Sequence, residues 1–495
     1  MITELYKQVV QGNEVRKNLI ELRKLIKDYH NKRVFMYELD GDYSTLYTLL
    51  EDEDAKIRKN VALIMGELSI PEFMDKLYAA YEKEEKLFVK SDYLTALSFF
   101  DYMPLVEQFK ARLNDLTQTP VEESNKKHIQ EEIRILTSLL VKVEEPKPHT
   151  FNGYTEASDL VLITNREHQH ITGDQIRKGQ AKTFGAGVLV RTNHLKEILK
   201  IRTYKELLFK LKEVGTVEYD PIKASKTLVE GGLLEFMNER HMGYPPYYFR
   251  IEMKTKMPLD KKSAFTKKMG AELENLTKRQ LINSTSHYEF EIRLIENKEG
   301  RFNVLLKLYT IEDNRFSYRK NTVAASIAPD TAALITQLAK DYLKEEAQVL
   351  DPFCGVGTML IERNQVKKAK VMYGVDLYGE AIDGAIENSN WADTDIYFIT
   401  KDFFDFTHKY LFDELFTNMP TATGRTTEGE LALLYDRFFE KVPHLLEDES
   451  VLILYTRNKA LMERSLRQRD SYTILKTEML SKKEGAYLYI LQFKK

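Results

Sequence analysis

The chain has 495 residues, 43% hydrophobic and 30% charged, with a formal net charge of −3. That length exceeds one ordinary domain, and the balanced charge excludes a protein coated in basic residues, so any nucleic-acid surface must be local. A single cysteine, Cys354, excludes internal disulfides and cysteine-based zinc clusters. No apolar run approaches the ~18–20 residues of a membrane span. Met1-Ile2-Thr3-Glu4-Leu5-Tyr6-Lys7 has no apolar signal core, so a cytoplasmic location is expected.

Residues 1–145 are expected to form an all-α domain, with Pro71 and Pro104 falling between periodic segments. Leu46, Leu49 and Leu50 lie at helical spacing. Glu51-Asp52-Glu53-Asp54 interrupts them, and Ile57, Arg58, Ala62, Gly66 and Leu68 resume the pattern. Weaker echoes are Glu84-Glu85 before Val89-Lys90, Ala96 and Leu97, and Glu14-Val15-Arg16. An apolar helix, an acidic turn and a helix opening on a β-branched and a basic residue resembles a HEAT-type repeat. The spacing of about 30–45 residues suits paired-helix arrays. The resemblance implies a concave face for a protein partner; an irregular helical bundle is the alternative. Glu144-Glu145-Pro146-Lys147-Pro148 reads as an extended linker.

Residues 150–310 change to an α+β pattern. Leu160–Ile163 and Gly187–Val190 read as strands and Leu195–Leu211 as a helix. Tyr248–Met253 is a strand and Lys261–Leu276 a helix. Tyr288–Ile295 and Asn303–Tyr309 form a hairpin across Asn297-Lys298-Glu299-Gly300. This order resembles a ferredoxin-like start joined to a THUMP-like module, which implies RNA binding. Lys254, Lys256, Lys261, Lys262, Lys267, Lys268, Lys278 and Arg279 make a basic stripe that fits a phosphate-binding face or a merely solvated one. Tyr244-Pro245-Pro246-Tyr247 resembles an amino-methyltransferase loop in its prolines only, because Tyr244 offers no side-chain carbonyl to an amine.

Residues 311–495 are built around a glycine turn. Apolar Val349-Leu350 ends at Asp351, Gly355 and Gly357 follow, and Thr358 opens a helical pattern. Glycines let the backbone approach a ligand, and a helix start offers free N–H groups. A second strand, Lys370–Val375, ends at Asp376. An acidic residue about 20 residues past the glycines accepts ribose hydroxyls in dinucleotide folds, so this much fits NAD equally. A third strand, Ile396–Thr400, precedes Asp402-Phe403, and a fourth, Glu414–Phe416, runs into Thr417-Asn418-Met419-Pro420. Val451–Tyr455 is a fifth strand, and Tyr472–Met479 with Ala486–Phe493 a closing hairpin.

Asp351-Pro352-Phe353-Cys354-Gly355-Val356-Gly357-Thr358, together with Asp376, Asp402 and the closing hairpin, resembles the THUMP-associated class I S-adenosylmethionine (SAM)-dependent RNA methyltransferases of the guanine-N2 type. The resemblance implies a Rossmann-like sheet with a final antiparallel hairpin and SAM as cofactor. It implies SAM contacts from Asp351, Phe353, Gly355, Gly357, Asp376, Asp402 and Asn418, with Asn418 and Pro420 as the catalytic loop. An exocyclic amine is a poor nucleophile. Acceptors at Asn418 and the Met419 carbonyl would orient its lone pair, a positioning effect. RNA, as tRNA or rRNA, is the implied substrate, and no metal ligand set is read.

Thr421 departs from the family, where an aromatic residue at that place stacks on the flipped base. Phe403, Phe404 or Tyr318 are candidate replacements, and Arg425 with Thr426 and Thr427 a candidate phosphate contact. The departure and the helical array leave open a decayed methyltransferase serving as an RNA- or protein-binding scaffold. A DNA adenine-N6 methyltransferase, which shares the SAM fold and loop logic, is a second alternative, disfavoured by the THUMP-like middle region. Trp391 reads as a packing residue, and His168 with His170 as incidental.

Overall fold

The computed structural model describes residues 1–118, 124–143, 148–324, 326–422, 427–467 and 469–495. The linker reading at 144–147 and the readings of Arg425 and Thr426 lie outside the described residues. Two compact units are present, Met1–Lys147 and Pro148–Lys495. Among the described residues no helix is long and apolar enough to cross a membrane.

The first unit is helical, from Ile2–Val10 through Lys126–Val143. Its core is aliphatic and aromatic, with Leu22, Leu46, Val61, Leu77, Leu94 and Leu136 all buried. Asp54 caps helix Ala55–Leu68 by accepting from the Lys56 N–H. That helix lies so close to Leu87–Leu97 that a Cβ on Gly66 would sit 2.6 Å from the Ala96 Cα. Arg58 joins the two turns with bonds of 2.9 and 2.7 Å to Glu84.

Beside a two-stranded ladder of Thr150–Phe151 with His241–Met242, the second unit holds two large sheets. The first has nine strands: Gln180–Phe184, Gly187–Thr192, Ser158–Thr164, Tyr204–Lys210, Phe302–Leu308, Phe290–Glu296, Tyr247–Lys254 and Leu281–Asn283 in spatial order, with Thr216–Val217 paired to Phe302–Leu308. The expected helix over 195–211 is corrected. Only Leu195–Ile198 is helical, and Tyr204–Lys210 pairs antiparallel with Ser158–Thr164. Tyr204, Leu208 and Phe209 are buried there, so tertiary pairing overrides the helix-forming run Lys205-Glu206-Leu207-Leu208. Helices Pro221–Glu230 and Leu233–Arg240, not expected from sequence, precede helix Leu259–Leu276.

The second sheet comprises β1 (Gln348–Asp351), β2 (Val371–Asp376), β3 (Tyr397–Thr400), β4 (Phe412–Asn418), β5 (Leu446–Thr456), β6 (Tyr472–Ser481) and β7 (Ala486–Phe493). Its order is β3-β2-β1-β4-β5-β7-β6. The first five strands are parallel and β7 is antiparallel to both β5 and β6. The helices are α1 (Pro329–Ala339), α2 (Thr358–Val366), α3 (Gly379–Trp391), α4 (Glu428–Lys441) and α5 (Lys459–Arg467). Pro329 starts α1, where a missing N–H costs nothing. A Thr427–Glu430 capping box starts α4.

Buried charge holds the two sheets' layers together. Arg202, next to the first sheet, makes bonds of 2.8 and 2.6 Å to Glu362 on α2, and the Tyr318 hydroxyl donates to the same carboxylate at 2.8 Å. Asn165 donates to the Leu480 carbonyl on β6 at 2.8 Å, and His168 Nε2 lies 2.9 Å from the Met479 carbonyl. His168 is therefore a structural contact between the sheets.

Candidate active site

The strand order reverses between β1 and β4, and open α/β sheets bind ligands at the carboxyl ends of strands at such a switch point. Asp351, Asp376 and Asn418 end β1, β2 and β4, and Asp402 follows β3. The structure thus brings these four predicted residues to one edge.

Asp351 is fully buried. Its Oδ1 accepts from the Phe353 N–H at 3.0 Å and from the Thr417 hydroxyl at 2.5 Å. Oδ2 is buried with no hydrogen-bond partner among the described residues, as is the Thr358 hydroxyl at the start of α2. Burial pushes the Asp351 carboxyl up from its ordinary 3.8 to about 7, against the two hydrogen bonds and with a smaller push from Asp376. Between those pH values the folded state keeps a proton that the unfolded chain has lost. Stability from this group is therefore full below about pH 4 and is lost as pH rises through about 7. Asp351→Asn should remove this slope. Urea midpoints of wild type and variant, compared from about pH 5 to about pH 7.5, should shift in the variant's favour as pH rises.

The turn itself is held from two sides. Gly355 has φ +51 and Gly357 φ +81, conformations that suit glycine. The Gly355 N–H donates to Asp376 Oδ2 at 2.9 Å, and Asp376 Oδ1 accepts from the Tyr378 N–H at 3.0 Å. The acid expected to meet a ribose also ties the glycine turn to β2. No atom lies within 4 Å of the place a Gly355 Cβ would take, so a side chain there would stand in open space over the turn.

Gly374 on β2 is different: its Cβ would meet Phe398 at 2.7 Å and the Cys354 Sγ at 2.9 Å. Gly374→Ala should cost about 1–3 kcal/mol by overpacking and weaken cofactor binding by displacing the turn. Thermal unfolding and titration calorimetry check the two effects. Cys354 is buried, which pushes its thiol well above the ordinary range, so it has no nucleophile character.

Phe353 is half-buried and packs edge-on to Phe403 at 5.5 Å. Asp402 caps a short 3₁₀ turn, its Oδ1 accepting from the Phe404 N–H at 2.9 Å. Asn418 is partly exposed, and among the described residues no side-chain hydrogen bond engages its amide. The Met419 N–H donates to the Tyr455 carbonyl at 2.8 Å. The Pro420 carbonyl accepts from the buried Tyr435 hydroxyl at 3.5 Å. This anchors the strand end while leaving the Asn418 amide available.

Two proposed stand-ins for the missing aromatic are corrected. Phe403 is buried at 3% exposure, and Tyr318, at 5%, is committed to Glu362. Phe404 is partly exposed, with the Arg437 guanidinium 3.8 Å from its ring centre. Trp391 is also corrected: it is 61% exposed, with the Lys320 ammonium 4.6 Å over its ring. Arg319 donates to the Ile327 carbonyl at 3.1 Å.

Sequence reasoning missed Thr417, Gly374 and Asn388. The buried Asn388 amide donates to the Asn321 and Val356 carbonyls, both at 3.1 Å, and its oxygen accepts from the Asn321 N–H at 2.9 Å. It thereby pins the segment before α1 to the glycine turn. The signal was present: Asn388 continues the apolar stripe Ala381, Ala385 of α3.

Residues 317–483 match the family model described as UPF0020, RMKL-like, methyltransferase domain. No curated protein matches the chain. TrmN from Thermus thermophilus is similar in structure, with a TM-score of 0.51 and 18% identity over 68% of this chain and 99% of that one. A Listeria monocytogenes protein described as a predicted N6-adenine-specific DNA methylase has a TM-score of 0.50 and 15% identity, over 68% of this chain and 96% of that one. The open glycine turn and the unpartnered Asp351 and Thr358 oxygens fit a polar cofactor at the β1–β4 switch point. Residues 317–483 are a methyltransferase domain with the class I fold, and its cofactor is SAM.

Proposed function

We propose that the protein transfers a methyl group from SAM to an exocyclic amine of RNA, guanine N2 of tRNA or rRNA. The observation that carries this reading is the Asn418 amide. It stands at the end of β4, beside the glycine turn through the Thr417–Asp351 bond, with no internal hydrogen-bond partner among the described residues. In this reading Asp351, Phe353, Gly355, Gly357, Asp376, Asp402 and Asn418 hold the cofactor, which supplies an electrophilic methyl group. Asn418 Oδ1 and the Met419 carbonyl accept the two amine hydrogens, and Pro420 stiffens the turn. The target base leaves its stack to reach this loop. Orientation and dipoles do the catalytic work, and no residue needs to act as a strong base.

RNA docks on the α+β region of 150–310, read as THUMP-like, and the helices of 1–145, read as a HEAT-like array, hold a protein partner. The protein acts in the cytoplasm. Thr421 favours a second reading, a domain that binds SAM and RNA without turnover, because base stacking at this place is worth about 1–3 kcal/mol. A DNA adenine-N6 methyltransferase shares the loop logic and is the third. Mass spectrometry of modified nucleosides in RNA from cells with and without the gene tests the first reading. Loss of one methylated guanosine supports it, and unchanged RNA contradicts it.

A further inference from the structure

The strongest unassigned feature is an edge ribbon of the nine-stranded sheet. Among the described residues strand Gln180–Phe184 pairs only with Gly187–Thr192, and all five of its residues are exposed. The inner strand is anchored on Ser158–Thr164, with Val188 and Val190 buried. The outer strand therefore stands at the sheet edge with its side chains exposed, and the short helix Gln169–Gly173 lies beside it, a Gly173 Cβ falling 3.6 Å from the Thr183 methyl. Its charge is one-sided. No Asp or Glu lies between Asp174 and Glu197, and that interval holds Arg177, Lys178, Lys182, Arg191 and Lys196. Among the described residues Arg177, Lys178 and Lys182 form no ion pair, and Arg191 reaches Asp159 only at 3.8 Å. Phe184, 38% exposed, stands at the hairpin tip.

The lysine-rich helix Leu259–Leu276 offers less. Asp260, Glu272 and Glu274 interrupt its cations, and Arg279, counted in the stripe, is held by Glu274 at 2.8 Å. Cations that form no ion pair among the described residues, although Glu197 lies near enough to Lys178 to feel its charge, stand on a two-stranded edge element with an aromatic tip and match a phosphate backbone beside an unstacked base. Lysines on an edge strand also discourage edge-to-edge pairing, an effect that a binding measurement separates.

We infer that the ribbon around Gln180–Phe184 is an RNA-docking element in which Arg177, Lys178 and Lys182 neutralise backbone phosphates and Phe184 stacks on a base. The inference rests on the RNA reading above and adds a docking place to it. The test uses the full chain with fluorescently labelled bulk tRNA across a range of salt, and calorimetric SAM binding in parallel. The Arg177→Ala/Lys178→Ala/Lys182→Ala variant should bind tRNA about tenfold more weakly at low salt, with the salt slope reduced by about 2–3. Phe184→Ala should weaken binding about fivefold with the slope unchanged. SAM affinity should stay at the wild-type value in both, which also reports that the exposed substitutions leave the fold intact. If wild type binds tRNA and the triple variant matches it in affinity and slope, the docking inference fails while the RNA reading stands. Self-association of the triple variant with undiminished tRNA affinity overturns it too, leaving the cations as edge guards. If wild type binds SAM but no tRNA, the RNA reading itself fails and the inference with it.

Discussion

Asn418→Ala should lower methyl transfer to RNA by about 10²–10³-fold, with a smaller effect on SAM affinity. The asymmetry follows from what the side chain does in the proposed reaction. An amine whose lone pair is delocalised into a base gains little from a nearby base catalyst. It gains from acceptors that hold its hydrogens so that the lone pair points at the methyl group. In the proposed reaction the Asn418 amide takes this part, on a strand that is fixed on both sides. Thr417 donates to Asp351 at 2.5 Å, and the Met419 N–H donates to Tyr455 at 2.8 Å. Asn418→Asp keeps an acceptor and should retain more activity than the alanine variant. Single-turnover rates, with SAM affinity measured separately, distinguish lost transfer from lost binding.

Glu414→Ala should destabilise the second unit by about 3–5 kcal/mol, the largest effect on folding expected of a single change here. Glu414 and Arg363 are both fully buried and meet through bonds of 2.7 and 2.9 Å. The guanidinium also donates to the Lys344 and Lys367 carbonyls, so removing the carboxylate strands a charge beneath the sheet. Replacing both partners with apolar residues, as in Arg363→Met/Glu414→Leu, should recover most of the loss, because it removes both desolvated charges together. Urea unfolding of the three variants checks the order. The pair ties α2 to β4 and hence joins the helix after the glycine turn to the strand bearing Asn418.

The methyltransferase sheet was legible because its strands are short apolar runs ending in residues with one evident use: Asp351, Asp376, Asn418. The glycine turn was legible for a related reason, since Gly355 and Gly357 take conformations that few other residues tolerate. What stayed hidden depends on partners distant in sequence. Thr417 gains its role from Asp351, Gly374 from Phe398 and Cys354, and Asn388 from two carbonyls on other segments. Strand Tyr204–Lys210 carries a helix-forming composition, and its partner Ser158–Thr164 decides the outcome. The exposed ribbon strand Gln180–Phe184 has no apolar alternation to betray it. Trp391 shows the opposite limit: composition marks a tryptophan as core, while its place at the end of α3 leaves it in solvent under Lys320.

Transfer of tritium from methyl-labelled SAM, with bulk RNA and duplex DNA offered side by side, tests the central claim most directly. Label should enter RNA, remain on guanosine after digestion to nucleosides, and enter about 10²–10³-fold more slowly with Asn418→Ala. Label entering DNA adenine, or no label in either polymer from protein that binds SAM, would contradict it.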